Sequence, residues 1–273
     1  MSTINAAQIG LRSLKQTNAS LTSNNEKIAT GSRVNRASDD AAGLAVGEKL
    51  NAQISGLRRA ERNIGDTISF TQTAEGHLNQ VHHIIQRVRE ISVQAANGIY
   101  TADDRAIMQN EVNQLTDQIN NVGSQAQFNT KNIFSGEFGK ANSPLIAHLG
   151  ANSNQNETIS VEKMNANELN LANIDLSSPD AANQAIAMTD AAITQVSRQR
   201  AQLGASQNRL EYAAKGQMIA HENQIMAQSR NSDTDIIEEI MKMSINQVKQ
   251  KMGMSMQAHR NINSKNILSL LGN

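Results

Sequence analysis

The 273 residues contain no cysteine and no tryptophan, and only two prolines and six aromatic side chains. Without cysteine there are no disulfides, no thiolate nucleophiles and no Cys-type zinc sites. The aromatics are Phe70, Tyr100, Phe128, Phe134, Phe138 and Tyr212. Large rings are the usual filling of a wide core, and here they are scarce. Charge of one sign is also lacking: 25 basic side chains balance 25 acidic ones, and the basic ones are scattered. That argues against a nucleic-acid partner, which needs a concentrated basic surface. No run approaches 18 apolar residues, so no membrane insertion is expected. The opening Met1-Ser2-Thr3-Ile4-Asn5 has no basic region followed by an apolar stretch, as a conventional signal peptide would. An exported chain of this kind would leave by another route.

What is abundant is Ala, Ile, Leu, Met, Asn and Gln, which suits long helices with seams of small and aliphatic side chains. Residues 3–30 carry a seven-residue ladder: Ile4, Ala7, Leu11, Leu14, Asn18, Leu21, Asn25 and Ile28. This is coiled-coil spacing, and such a narrow stripe needs a partner helix. The periodicity stops over 31–43. Gly31 can end the first helix, and Ser38 or Asp39 can cap the next. This connector, or spoke, carries Arg33, Asn35, Arg36, Asp39 and Asp40. Its paired acids fit capping and ion pairs to the arginines better than a metal site.

Residues 44–97 form one helical pattern, with Leu57, Ile64, Thr71, Leu78 and Ile85 at intervals of seven. A helix of that length would span about 75 Å. Asn97-Gly98 stops it, and Thr101 with Asp104 resembles a capping box for a second helix over 102–124. The short turn predicts an antiparallel hairpin. On the second helix the expected stripe is Ile107, Glu111, Gln114 or Leu115, Gln118 and Val122. Residues 128–177 are rich in Gly, Asn and Ser, with strand-like pieces near Leu145–Leu149 and Thr158–Val161. Ser178-Pro179-Asp180 is a helix start. The helix to about residue 230 shows Ile186, Ile193, Val196, Leu203, Leu210 and Ile219 as its stripe. A last helix follows Ser232-Asp233-Thr234-Asp235, with Ile237, Met241, Ile245, Val248 and Met252 as its stripe, reaching Leu268 and Leu271.

The fold class read from this pattern is mainly α. It is a long antiparallel helical bundle with coiled-coil terminal segments and a small irregular or β-hairpin insert. Five segments are expected: 1–43, an N-terminal inner-core helix and spoke; 44–128, the N-terminal part of a helical outer-layer domain; 129–179, a small outward-facing insert; 180–231, the C-terminal part of the outer-layer domain; and 232–273, a C-terminal inner-core helix. Two terminal helices with exposed apolar seams suit a heterologous contact that does not close, which builds a filament. The candidate assembly seam is Ile4, Leu11, Leu14, Leu21, Ile28, Ile237, Met241, Ile245, Val248, Met252, Leu268 and Leu271. Aspartate at Leu11 or Leu14 is expected to block assembly while 44–230 stays helical.

No catalytic, cofactor or metal site is expected. His82 and His83 are adjacent and cannot share a helical face, and no acid stands four residues from either. His148, His221 and His259 are isolated. There is no glycine-rich phosphate loop and no nucleophile-elbow pattern.

Several stretches match known motifs in order. Thr30-Gly31-Ser32-Arg33-Val34-Asn35-Arg36-Ala37-Ser38-Asp39-Asp40-Ala41-Ala42-Gly43-Leu44-Ala45 resembles the N-terminal signature of bacterial flagellins. So do Gln86-Arg87-Val88-Arg89-Glu90-Ile91-Ser92-Val93-Gln94-Ala95-Ala96-Asn97-Gly98, Ser124–Asn129, and, in the C-terminal half, Gln207–Glu211 and Ser229-Arg230 followed by Asp233-Thr234-Asp235. The short insert and the stretches Asn97–Tyr100 and Arg209–Gly216 are most similar to spirochaete core flagellins, which lack large outer domains. The resemblance implies a structural, non-enzymatic subunit that polymerises into the flagellar filament for motility. A hook–filament junction protein of similar architecture is the alternative. Implied partners are neighbouring copies of the subunit, a flagellar export chaperone, hook-junction and cap proteins, and sheath proteins. The implied location is the flagellar filament, reached through the flagellar secretion apparatus; it is periplasmic in a spirochaete and extracellular otherwise. A host innate receptor would read the face bearing Arg87, Ile91 and Glu111. The sequence departs from the family pattern at Asn231, Ser232 and Ser264, and in the Met-rich run Met241, Met243, Met252, Met254 and Met256.

Overall fold

The computed structural model describes residues 2–139 and 144–271, with side chains over 8–139 and 144–262. Five helices carry most of the chain: α1 Ser2–Thr30, α2 Ala41–Ala95, α3 Ala102–Gln125, α4 Pro179–Ser232 and α5 Ile236–Leu271. Two small antiparallel hairpins lie between α3 and α4: β1 Gln127–Phe128 with β2 Lys131–Asn132, and β3 Leu145–His148 with β4 Asn156–Ile159. The β1–β2 turn places both Asn129 and Thr130 at positive φ, 48° and 65°. That is the twist a two-residue hairpin requires. The chain divides into two compact units, one of 1–54 with 222–273 and one of 55–221.

In the 55–221 unit the core is built on two interleaved rows of α2. The row expected from sequence, Leu57, Ile64, Thr71, Leu78 and Ile85, is buried throughout. A second row, Ala60, Thr67, Ala74, Val81, Val88 and Ala95, is buried beside it. The two alternate at steps of three and four, so α2 presents a full heptad seam. The hydroxyl of Thr71 costs nothing there, because it donates to the Thr67 carbonyl at 2.9 Å.

On α3 the buried row is Met108, Val112, Ile119, Val122 and Gly123, one position on from the expected one. Ile107 lies exposed. The observed row carries an apolar or small residue at every step, whereas the Ile107 row would have buried Glu111 and Gln118. Thr101 and Asp104 form a complete capping box. Hydrogen bonds from the Thr101 hydroxyl and backbone hold the Asp104 carboxyl below its usual range.

On α4 the buried row is Ala182, Ala185, Thr189, Ala192, Val196, Gln199, Leu203, Ser206 and Leu210. Ile186 and Ile193 flank it, and Ile219 is exposed. Small side chains in the seam let the helix sit close to its neighbours, and the larger isoleucines pack at its margin. The helix starts as expected, with the Ser178 hydroxyl accepting from the Ala181 N–H at 3.2 Å.

The segment between α3 and α4 contributes more core than its composition suggests. Val161, Met164, Leu169, Leu171 and Leu176 are all buried. Gln109 holds this stretch to α3, donating to the Ile174 carbonyl and accepting from the Leu176 N–H, both at 2.8 Å. Gly123 is required where α3 passes under it: a β-carbon there would stand 2.7 Å from the Met164 carbonyl oxygen. Phe70 meets Phe128 and Phe138 edge-to-face, each at 5.6 Å, so half of the six aromatics gather at one corner.

Candidate assembly interface

In the other unit α1 and α5 run side by side, and two connectors close that end of the pair. Ser32 and Asp233 form an isolated antiparallel bridge. The Arg33 N–H donates to the Ser232 carbonyl at 2.6 Å, and the Thr234 N–H donates to the Gly31 carbonyl at 3.1 Å. The Arg33 guanidinium also donates to the Asn231 carbonyl at 2.8 Å, and the Asn231 amide to the Gly43 carbonyl at 2.8 Å. Asn231 and Ser232 thus take part in the junction together with Asp233 and Thr234.

The spoke residues fall into place around that junction. Asp39 accepts from the backbone N–H groups of Asn35 and Arg36, at 3.2 and 3.0 Å, and shapes the turn. The cap of α2 is Asp40, which accepts from the Gly43 N–H at 2.8 Å. It falls on neither Ser38 nor Asp39, the positions expected from sequence, because Asp39 is engaged in the preceding turn. Arg36 pairs with Glu26 at 2.9 Å and Arg33 with Asp40 at 3.9 Å. Among the described residues no group of acids and histidines could hold a metal ion.

The contact between α1 and α5 is largely polar on the α5 side and mixed on the α1 side. Along α1 the side facing α5 carries Gly10, Leu14, Thr17, Leu21, Asn24 and Ile28. Leu11, Asn18 and Asn25, read from sequence as part of one ladder with Leu14 and Leu21, are exposed. Leu11, one turn from Leu14, thus stands at the exposed margin of the side that meets α5. Along α5 the facing row is Glu239, Met243, Asn246, Gln250, Gly253 and Gln257. Gln250 donates to the Asn18 side-chain oxygen at 2.8 Å. In the orientation that satisfies its amide, Asn24 donates to the Ser20 carbonyl at 2.9 Å and accepts from the Met243 N–H at 3.3 Å. Gly253 admits Leu14, whose Cδ1 would lie 3.3 Å from an added β-carbon. Sequence reasoning sought an apolar row and passed over this one. Its signal was there, in amides and glycine spaced at alternating steps of three and four.

The apolar stripe of α5 is left uncovered. Ile237, Met241, Ile245, Val248 and Met252 are 54–73% exposed. Val248 stands two residues from the facing Gln250, about 200° round the helix at 100° per residue, and points away from α1, whereas Met252 adjoins Gly253 and borders the cleft with α1 beside Ile9 and Leu14. Ile9 and Leu11 are exposed on α1 at 66% and 45%. A monomer in water gains nothing from such a stripe. Each of these side chains would contribute up to about 1.5–3 kcal/mol on full burial. Ile4, Leu268 and Leu271 lie outside the residues whose side chains are described.

The remaining candidate face divides. Arg87 on α2 donates to Glu111 on α3 at 2.8 Å and pairs with Glu90 at 3.2 Å, all on the surface. The bonds to Glu111 and then to Glu90 raise the guanidinium's affinity for its proton. Ile91 is 2% exposed and belongs to the core. No described helix is long and apolar enough to cross a membrane.

Known proteins resemble this chain over most of its length. The model of the bacterial flagellin N-terminal helical region matches residues 1–138, and that of the C-terminal helical region matches residues 186–271. The flagellar filament core protein FlaB2 of Brachyspira hyodysenteriae is 44% identical over 271 residues, covering 95% of each chain. The flagellar filament 30.7 kDa core protein of Treponema maltophilum is 44% identical over 272 residues, again covering 95% of each. The crystal structure of Bacillus cereus flagellin superposes with a TM-score of 0.50 at 24% identity, covering 57% of this chain and 88% of that one, which is a likeness of fold.

Proposed function

The chain belongs to the bacterial flagellin family, and from that premise we propose that its terminal helices, α1 and α5, are the polymerising part of the subunit. Its function is structural: it is a flagellin-like subunit of the flagellar filament, most similar to spirochaete core flagellins. The observation that carries the proposal is the exposed row Ile237, Met241, Ile245, Val248 and Met252, which its own chain leaves uncovered. A row of that kind on one subunit, laid against a different surface of the next, gives a heterologous contact that repeats without closing. In this reading residues 1–43 and 232–273 form the inner layer, 44–128 and 180–231 the surrounding layer, and 129–179 the outer insert. The spoke, with Arg33 and Asn231 at its junction, joins the layers.

The finer assignments rest on the same premise. A flagellar export chaperone would cover the α5 stripe before assembly, and hook-junction and cap proteins would meet the ends of the growing filament. The similarity to Brachyspira and Treponema proteins supports a periplasmic filament with sheath proteins around it. A receptor reading the α2–α3 face would meet Arg87 and Glu111 and not Ile91.

The test is electron microscopy of the full chain with filament seeds, beside a chain trimmed of residues 1–33 and 235–273. Long filaments from the full chain alone are expected. A defined small oligomer from both, with no filaments, would point to a junction protein instead.

A further inference from the structure

Three of the methionines of α5, Met241, Met252 and Met256, are 55%, 60% and 65% exposed; Met241 lies on the uncovered stripe, and Met252 and Met256 stand at its edge, bordering the cleft with α1. They follow one another along the helix, Met256 one turn beyond Met252. Elsewhere Met108 and Met164 are buried at 9% and 0% exposure. We infer that Met241, Met252 and Met256 form an oxidation site through which a peroxide switches the subunit from assembly-competent to assembly-incompetent. The inference rests on the proposed role of the α5 stripe in polymerisation.

The chemistry needs no cofactor and no catalytic group. The thioether sulfur attacks one oxygen of hydrogen peroxide and the O–O bond breaks. Sulfur gains an S–O bond and is oxidised by two electrons; the peroxide is reduced and leaves as water. Access decides which thioethers react, and these three are open to solvent in the subunit, as are Met218, Met226 and Met254, which lie off the α5 stripe. The product replaces a flexible apolar group by a strongly polar oxygen at the place where apolar contact is required.

The geometry also says what oxidation leaves intact. The contact between α1 and α5 is made by Leu14 on Gly253 and by Gln250 on Asn18; Met241 lies clear of it, and Met252 and Met256 border it. Met252 and Met256 keep 60% and 65% of their surface in solvent, where a sulfoxide oxygen can stand without displacing the contact. The oxidised subunit therefore keeps its fold and loses its ability to join a filament. The change is reversible, because sulfoxide reductases return the thioether. Leucine or isoleucine on this stripe would pack as well and could not respond. A Met-rich stripe thus carries a chemical sensitivity that packing alone does not require.

The experiment treats the full-length monomer with hydrogen peroxide, maps sulfoxides by peptide mass spectrometry, and measures seeded elongation and helical circular dichroism. Sulfoxides are expected at Met241, Met252 and Met256, and also at the exposed Met218, Met226 and Met254, which a triple-leucine variant of the first three retains, and not at Met108 or Met164. Elongation should fall roughly tenfold or more for each sulfoxide that must be buried, with helicity unchanged. A mixture of the two sulfoxide reductases should restore it. The variant M241L/M252L/M256L should elongate equally before and after peroxide. The inference is overturned if wild-type protein oxidised at all three positions elongates like the untreated protein, or if the leucine variant loses elongation as fully as wild type. Untreated wild type that does not elongate at all would instead contradict the filament reading, and this inference with it.

Discussion

His82 shows how little of a residue's setting is visible from its neighbours in sequence. It lies on α2 with Nδ1 buried and unpartnered, and its Nε2 is 3.0 Å from the Gln86 amide. Burial, then the positive charges of Arg200 and His83, lower its pKa from 6.5. A histidine with a depressed pKa binds fewer protons folded than unfolded. Its contribution to stability is therefore complete above about pH 6.5 and is lost as the pH falls below that value. The urea midpoint should decline on acidification from pH 7 to pH 5, and His82→Gln should make that decline shallower. An unchanged slope in the variant would remove His82 from the account. The sequence placed His82 and His83 on different faces, which is how they lie. It could not show Arg200, which comes from α4, 118 positions further along the chain.

At the scale of the element, legibility followed the size of the side chain. The large aliphatic row of α2 was readable because Leu and Ile at intervals of seven stand out among polar residues. The parallel row of Ala60, Ala74 and Ala95 was not, since alanine is at home on any helix face. The same holds for α4, where Ala182, Ala185 and Ala192 are buried while Ile219 is exposed. Small residues seal these seams, so enlarging one should do harm. Ala74→Leu is expected to destabilise the protein by about 1–3 kcal/mol in urea unfolding through overpacking. A neutral or stabilising change would mean that the seam has room. The capping box of α3 was legible because its pattern is local, and the cap of α2 was misplaced because Asp39 and Asp40 both suit the position by type. Only the turn they sit in separates them.

For the whole molecule, the architecture followed from order and length of helices, and the interface did not. The stripe of α5 was readable as apolar. Which side of the helix its own chain would cover was not, because that depends on an amide-lined contact with residues more than 200 positions away in sequence. The outcome inverts the simplest expectation for α5: its polar row meets α1, and its apolar row stays exposed, open in the proposed reading to another subunit. That division gives a chain that can remain folded as a monomer and still polymerise. Its motility role is mechanical, through the number of such contacts made along a filament.

The most direct measurement is seeded elongation of Val248→Asp, with circular dichroism of the same sample. Val248 is 57% exposed at the centre of the stripe, away from the row that faces α1. The account predicts undiminished helicity and elongation reduced by roughly a hundredfold, since a carboxylate would have to be buried without a partner. Filaments growing at the wild-type rate would contradict it, and would place the polymerising surface elsewhere on the subunit.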